Sequence, residues 1–206
     1  MKRVILLNNP KFVKLNNKLY EINTDFRIAL KCNEIAKNEK IGDIERAMAI
    51  IYMLFGEEGL DCNEMDKLLE LGLKYIIIFQ ENKNGLKTIF ESDFELDFQK
   101  CEGLIRSSFK FDYNYDPYEL DYLHWYDFYN DLNNLSTSEF GNCCILNRVI
   151  SILNQDASKI ENDKDRQKLY ETQEILKEKY CVPKEVKLTK EQEESVEEFY
   201  KALGIT

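Results

Sequence analysis

The chain has 206 residues, 44% of them hydrophobic and 32% charged, which suits a folded globular protein and lies far from the composition of disordered chains. Its 38 acidic residues outnumber its 28 basic ones, giving a net charge of -10, so general binding to nucleic acid, which depends on Lys and Arg neutralising phosphates, is not expected. No stretch approaches the roughly 18 uninterrupted apolar residues of a membrane span, and the apolar segment at residues 4–7 is too short for a signal-peptide core. A cytoplasmic protein without membrane association is the expectation.

Residues 1–22 contain short β-type runs at 4–7, 12–15 and 19–22, broken by Asn8-Asn9-Pro10 and Asn16-Asn17. Asn-rich breaks between such runs predict one or two hairpins. Asn23 or Thr24 can cap a helix reaching to about Lys37. Asp43 can cap a second, on which Ile44, Ala47, Met48, Ile51, Tyr52 and Phe55 share the spacing of one buried face. Gly56 and Gly59 stop it. A third helix begins at Asn63 and runs through Leu68, Leu69, Leu73 and Ile76, continuing into residues 75–79.

Ser92 and Glu95 form a capping box, with Phe94, Phe98, Cys101, Ile105 and Phe109 on one face of the helix it opens. After Asp116-Pro117, residues 119–133 predict a helix carrying Trp125, Phe128, Tyr129 and Leu132. Ser136 and Glu139 form a second capping box, for a helix to about Leu153. From Asp156 the stripe thins to Leu169, Leu176 and Tyr180 among many charges, the pattern of a docked or projecting helix. Thr189 and Gln192 open a last amphipathic helix with Val196, Phe199, Tyr200 and Leu203 on one face and Gly204 at its end. The predicted fold is therefore mainly α: a hairpin plus helical core domain over residues 1–155 and a charged helical extension over 156–206.

Chemistry-bearing motifs are sparse. The six cysteines show no C-x-x-C spacing and read as buried, reduced thiols, not as a zinc or redox site. No cofactor loop is present, since Gly-x-x-x-x-Gly-Lys is absent among the 8 glycines. The one histidine, His124, shares a helical stripe with Asp127 and Asp131, so a metal-dependent hydrolase is conceivable; the competing reading is helix-surface electrostatics. Asp112, Asn114 and Asp116 copy the first ligands of a calcium loop, but Pro117 and Leu123 stand where that loop needs Gly and Glu. A non-enzyme is expected.

The strongest signal is aromatic. Residues 94–140 hold 13 of the 25 aromatics, within a segment that carries 12 acidic and 3 basic residues over positions 91–140. Tyr and Trp pair an apolar body with a polar tip and suit surfaces that are alternately wet and covered. Trp125, Phe128 and Phe94 can be core, but one helix face cannot bury Tyr122, Tyr126 and Tyr129 together. Tyr118, Tyr122, Trp125, Tyr126 and Tyr129 are the candidate partner-binding residues.

The run Leu123-His124-Trp125-Tyr126-Asp127-Phe128, with Tyr20-Glu21-Ile22-Asn23-Thr24-Asp25-Phe26-Arg27 before it, resembles the bacteriophage gene-product-fifteen family over about residues 18–155. The family usually has a second tryptophan where this chain has Tyr126. The resemblance implies a tail assembly chaperone of tailed phages and prophages of Gram-positive bacteria. Such a protein would coat and solubilise the tape-measure protein in the host cytoplasm, help recruit the tail-tube protein, self-associate and leave before the tail is finished. It implies no catalytic residues and no cofactor. A permanent structural component of the tail is the alternative.

Overall fold

The computed structural model describes residues 9–38, 40–77, 94–137 and 143–182. An antiparallel hairpin, β1 (Phe12–Leu15) and β2 (Lys18–Glu21), opens the chain, with Phe12 paired to Glu21 and Leu15 to Lys18. Asn16 turns it with a φ of 54°, a left-handed conformation that Asn tolerates. Alternation sends Leu15, Tyr20 and Ile22 into the core and leaves Phe12 and Leu19 exposed. The runs at 4–7 lie outside the described residues.

Seven α-helices follow among the described residues: α1 (Phe26–Ala36), α2 (Asp43–Leu60), α3 (Met65–Ile77), α4 (Glu102–Tyr113), α5 (Trp125–Asn133), α6 (Ile145–Asn154) and α7 (Asp163–Tyr180). Helix α1 starts one or two residues later than expected because Asp25, not Asn23 or Thr24, supplies the cap, its carboxylate accepting from the Arg27 N–H. Helices α1, α2 and α3 pack in succession, α1 also lies on α5, and α4 joins α5 to α6. Phe26, Phe109 and Phe128 are fully buried at the centre. The Phe128 ring stacks on Phe26 at 4.2 Å and on Phe109 at 5.5 Å between centroids. Each such ring contributes about 1.5–3 kcal/mol through burial alone.

Two glycines have structural reasons. Gly56 adopts φ 66°, ψ -156° and kinks α2 one turn before its end. Gly72 lets α3 approach α2, since a Cβ there would meet Leu54 Cδ1 at 2.8 Å.

Three expectations are corrected. The helix placed after Ser92 begins only at Glu102. Leu96 instead forms an antiparallel bridge with Cys181, Val182 N–H donates to the Glu95 carbonyl at 2.8 Å, and Asp97 N–H donates to the Tyr180 carbonyl at 2.9 Å; Ser92 itself is outside the described residues. The helix placed at 119–133 begins at Trp125, because Arg27 holds the preceding loop by donating to the Pro117, Tyr118 and Leu120 carbonyls. The third is α6, which begins at Ile145 and is capped by Cys144, whose N–H donates to Ser136 Oγ at 3.1 Å. Glu139 lies outside the described residues, as does the amphipathic stretch from Thr189 to Gly204.

Helix α7 is docked. Gln173 is buried, and its amide donates to the Ile152 and Gln155 carbonyls at 2.9 and 2.8 Å, satisfying acceptors at the end of α6. Leu176 and Tyr180 pack on the core beside it.

Candidate partner-binding surface

Helices α1 and α5 start side by side. Asp25 and His124 form an antiparallel bridge, Phe26 N–H donates to the Leu123 carbonyl at 3.0 Å, and Trp125 N–H donates to the Thr24 carbonyl at 2.8 Å. This pairing drives the first turn of α5 into the bundle. Trp125, Tyr126 and Tyr129 are consequently buried: Trp125 takes the core place open to it, and none of the three offers the exposed surface that a partner-binding residue needs. Trp125 Nε1–H donates to the Ile76 carbonyl at 3.2 Å, Tyr126 stacks on Tyr75 at 5.1 Å, and Tyr129 lies 5.6 Å from Trp125. Burial pushes the Tyr126 phenol up to about 12. The three tyrosines are not buried together: α5 takes in Tyr126 and Tyr129 and leaves Tyr122, ahead of its first turn, exposed. Inward residues at 125, 126, 128, 129 and 132 form a stripe wider than one contact can cover, and that width was the available signal.

Tyr118 is half-buried, edge-on to Phe26 at 5.2 Å and beneath the Arg106 guanidinium at 5.7 Å. Burial raises its phenol to about 12 as well. Of the five candidates, only Tyr122 is largely exposed, at 51%. Its hydroxyl is 2.6 Å from Thr24 Oγ1, which fixes the ring in place.

The His124, Asp127 and Asp131 side chains do not converge. His124 is buried and caps α5, Nδ1 accepting from Tyr126 N–H at 3.0 Å, while Nε2 lies 3.4 Å from the Pro10 carbonyl. These two partners select the tautomer with its proton on Nε2. Burial lowers the pKa of this imidazole. Asp127 accepts from Asn9 Nδ2 at 2.9 Å, and Asp131 accepts from the Tyr115 hydroxyl. No group of three or more His, Cys, Asp or Glu among the described residues could hold a metal ion. The calcium-like triplet is structural: Asp112 accepts from Ser136 N–H at 2.7 Å and Asn114 ends α4 at φ 59°. Asp116 has no exposed side-chain surface and meets Arg106 at 2.8 Å and Lys110 at 3.0 Å. Burial alone would raise its carboxyl, but hydrogen bonds from Arg106, Lys110 and Tyr118 N–H outweigh it and hold the group below the usual carboxylate range. All six cysteines are free and five are buried; burial pushes the Cys32 and Cys101 thiols up to about 12.

Exposed apolar surface lies elsewhere, on a face the sequence assigned to the core. The inward residues of α2 are Ile50, Ile51, Leu54 and Phe55, whereas Ile44 is 77%, Met48 45% and Tyr52 54% exposed. At i, i+4 and i+8 these three line one side of the helix over about 12 Å. Residues 47–55 are apolar all round, more than one contact can absorb, and the excess marks this second face. Its lower end opens into a groove of about 770 Å³ between the Gly56 kink, the hairpin and the loop before α5, walled by Tyr52 and Tyr122.

Comparison with protein families finds a match over residues 7–178 to the family described as Bacteriophage Gp15 protein. Comparisons with curated proteins and with solved structures find no match.

Proposed function

The chain belongs to the bacteriophage Gp15 protein family, which makes it a phage structural or morphogenetic protein, and from that premise we propose that it is a tail assembly chaperone. It binds and solubilises the tape-measure protein in the host cytoplasm during tail morphogenesis, and it acts without catalytic residues or a cofactor. The observation that carries this reading is the exposed α2 face, Ile44, Met48 and Tyr52, continued by Tyr122. Patches that a lone soluble domain leaves open mark sites for another polypeptide.

A carrier that must later be displaced needs modest affinity at each contact, with strength summed over several copies along a long partner. Three exposed side chains and one groove supply a contact of that modest size. Self-association and recruitment of the tail-tube protein belong to the same proposal.

Co-expression with the adjacent tape-measure gene tests it. The tape-measure protein moves to the soluble fraction when this chain is present and stays insoluble when it is absent. Mass spectrometry of purified particles completes the test: absence of this chain agrees with a chaperone that departs, whereas stoichiometric presence identifies a permanent tail component and overturns the proposal.

A further inference from the structure

The chemistry of the partner segment can be read from the groove and the charges around it, given the reading above that this chain holds a segment of another protein. We propose that the groove at the Gly56 kink and the α2 stripe leading out of it form a docking surface for a basic amphipathic helix, one with an apolar stripe flanked by Lys or Arg.

The apolar half of the argument is geometric. Tyr52 and Tyr122 stand on the groove with half their surface open, Met53 is partly exposed, and the buried Ile22 and Leu54 form its floor. The walls are set before any partner arrives. Tyr122 is held by Thr24, and the kink is fixed by a backbone bond from Asn23 N–H to the Leu54 carbonyl at 2.7 Å. A preformed site loses little freedom on binding. The stripe from Ile44 to Tyr52 spans two helical turns, the length over which a partner helix presents residues at i, i+4 and i+7. No atom comes within 4 Å of where a Gly56 Cβ would stand, so the kink leaves open space beside the groove.

The charge half selects the sign. Among the described residues Glu21 and Glu58 line the groove together with one cation, Lys11. Glu58 is already paired with Lys18 at 2.9 Å. Glu21 is exposed and has no ion pair among the described residues; the same holds for Glu57, beside Glu58 in the chain, and Asp121, beside Tyr122. Three carboxylates without an ion pair among the described residues, set around the Ile44–Tyr52 stripe and its groove, attract Lys and Arg and repel acidic segments. A second copy of this chain is a poor occupant, because two-fold pairing of this face sets the same carboxylates against one another.

The probe is a labelled synthetic peptide of about 18 residues, long enough to form a helix on a surface, with Leu at i, i+4, i+7 and i+11 and Lys at flanking positions. A twin carries Glu in place of every Lys. Fluorescence anisotropy with the full chain is expected to give at least about tenfold tighter binding of the Lys peptide, a difference that shrinks in about 0.5 M salt. Replacing Met48→Ala and Tyr52→Ala together weakens binding about tenfold. Glu21→Lys with Asp121→Lys erases or reverses the preference between the twins. Ile175→Asp, on α7, leaves binding unchanged. Circular dichroism confirms that each variant folds, and Glu21→Gln provides a milder step in the same direction.

Equal affinity for the twins overturns the proposal, as does indifference to the Met48/Tyr52 pair. A dimer in sedimentation that Met48→Asp dissociates also overturns it, because a second copy then covers the face. If the peptides behave alike while co-expression still solubilises the tape-measure protein, the chaperone reading stands and its holding surface lies elsewhere. If the peptides discriminate while co-expression fails, the groove stands and the chaperone reading falls.

Discussion

Phe128→Ala is the sharpest test of the core. The ring has no exposed surface and stacks on Phe26 at 4.2 Å and on Phe109 at 5.5 Å, with Trp125 at 6.1 Å. Truncating a buried Phe to Ala costs about 3–5 kcal/mol when surrounding residues cannot collapse into the space. Here collapse is hindered, because the neighbours are rings held on three different helices. Against a total stability of about 5–15 kcal/mol, the variant should unfold at far lower denaturant, and a marginal protein would not survive it. Trp125 is the chain's only tryptophan and lies inside this cluster, so urea unfolding followed by its fluorescence reports directly on the perturbed region. Phe128→Leu, which keeps most of the volume, is expected to lose much less. A loss below about 1 kcal/mol for Phe128→Ala would mean the ring does not hold α1, α4 and α5 together.

Other outcomes follow from individual contacts. His124 caps α5 only as the neutral imidazole, and burial lowers its pKa, with the Asp127 charge opposing and Lys11 reinforcing that shift. The unfolded chain therefore takes up the proton first: stability from this group is full above about 6.5 and declines as pH falls below that value, a slope that His124→Asn, which can still cap, should remove from denaturant curves at pH 5–7. Asp116 has its folded pKa depressed, so its contribution is full above about 3.9 and is lost as pH falls through the lower folded value; Asp116→Asn should flatten the acid-unfolding curve in that range. Gly72→Ala places a methyl against Leu54 and should cost about 1–3 kcal/mol in thermal or urea unfolding. Met48→Asp, by contrast, alters an exposed position and should leave stability within about 0.5 kcal/mol of wild type.

Local signals made several elements legible. The Asn16-Asn17 break, the stripe of α3 and the sparse stripe of α7 are each decided within a few neighbouring residues, and each element stands close to where its pattern placed it. The errors fall where distant contacts override local preference. Residues 94–98 have a helical pattern but pair with residues 180–182, and the loop before α5 is pinned by Arg27 from α1, contacts spanning about half the chain that no window of neighbours contains. The surface was misread for a related reason. Periodicity says which residues of a helix lie together but not how wide the covered side is, so Tyr126 and Tyr129 were offered as surface although α5 exposes only its polar side at Asp127, Asn130 and Asn133, and α2 was denied an exposed apolar face it has. The excess of apolar residues in 47–55 and the width of the α5 stripe were the clues to both.

The most direct test places a photo-crosslinking amino acid at Met48, at Tyr126 and at Tyr170 in separate variants co-expressed with the tape-measure gene. An adduct with the tape-measure protein from position 48, and none from buried Tyr126 or from Tyr170 on α7, is the result expected if the open face of α2 holds the partner. Adducts from position 170 but not 48 would contradict it.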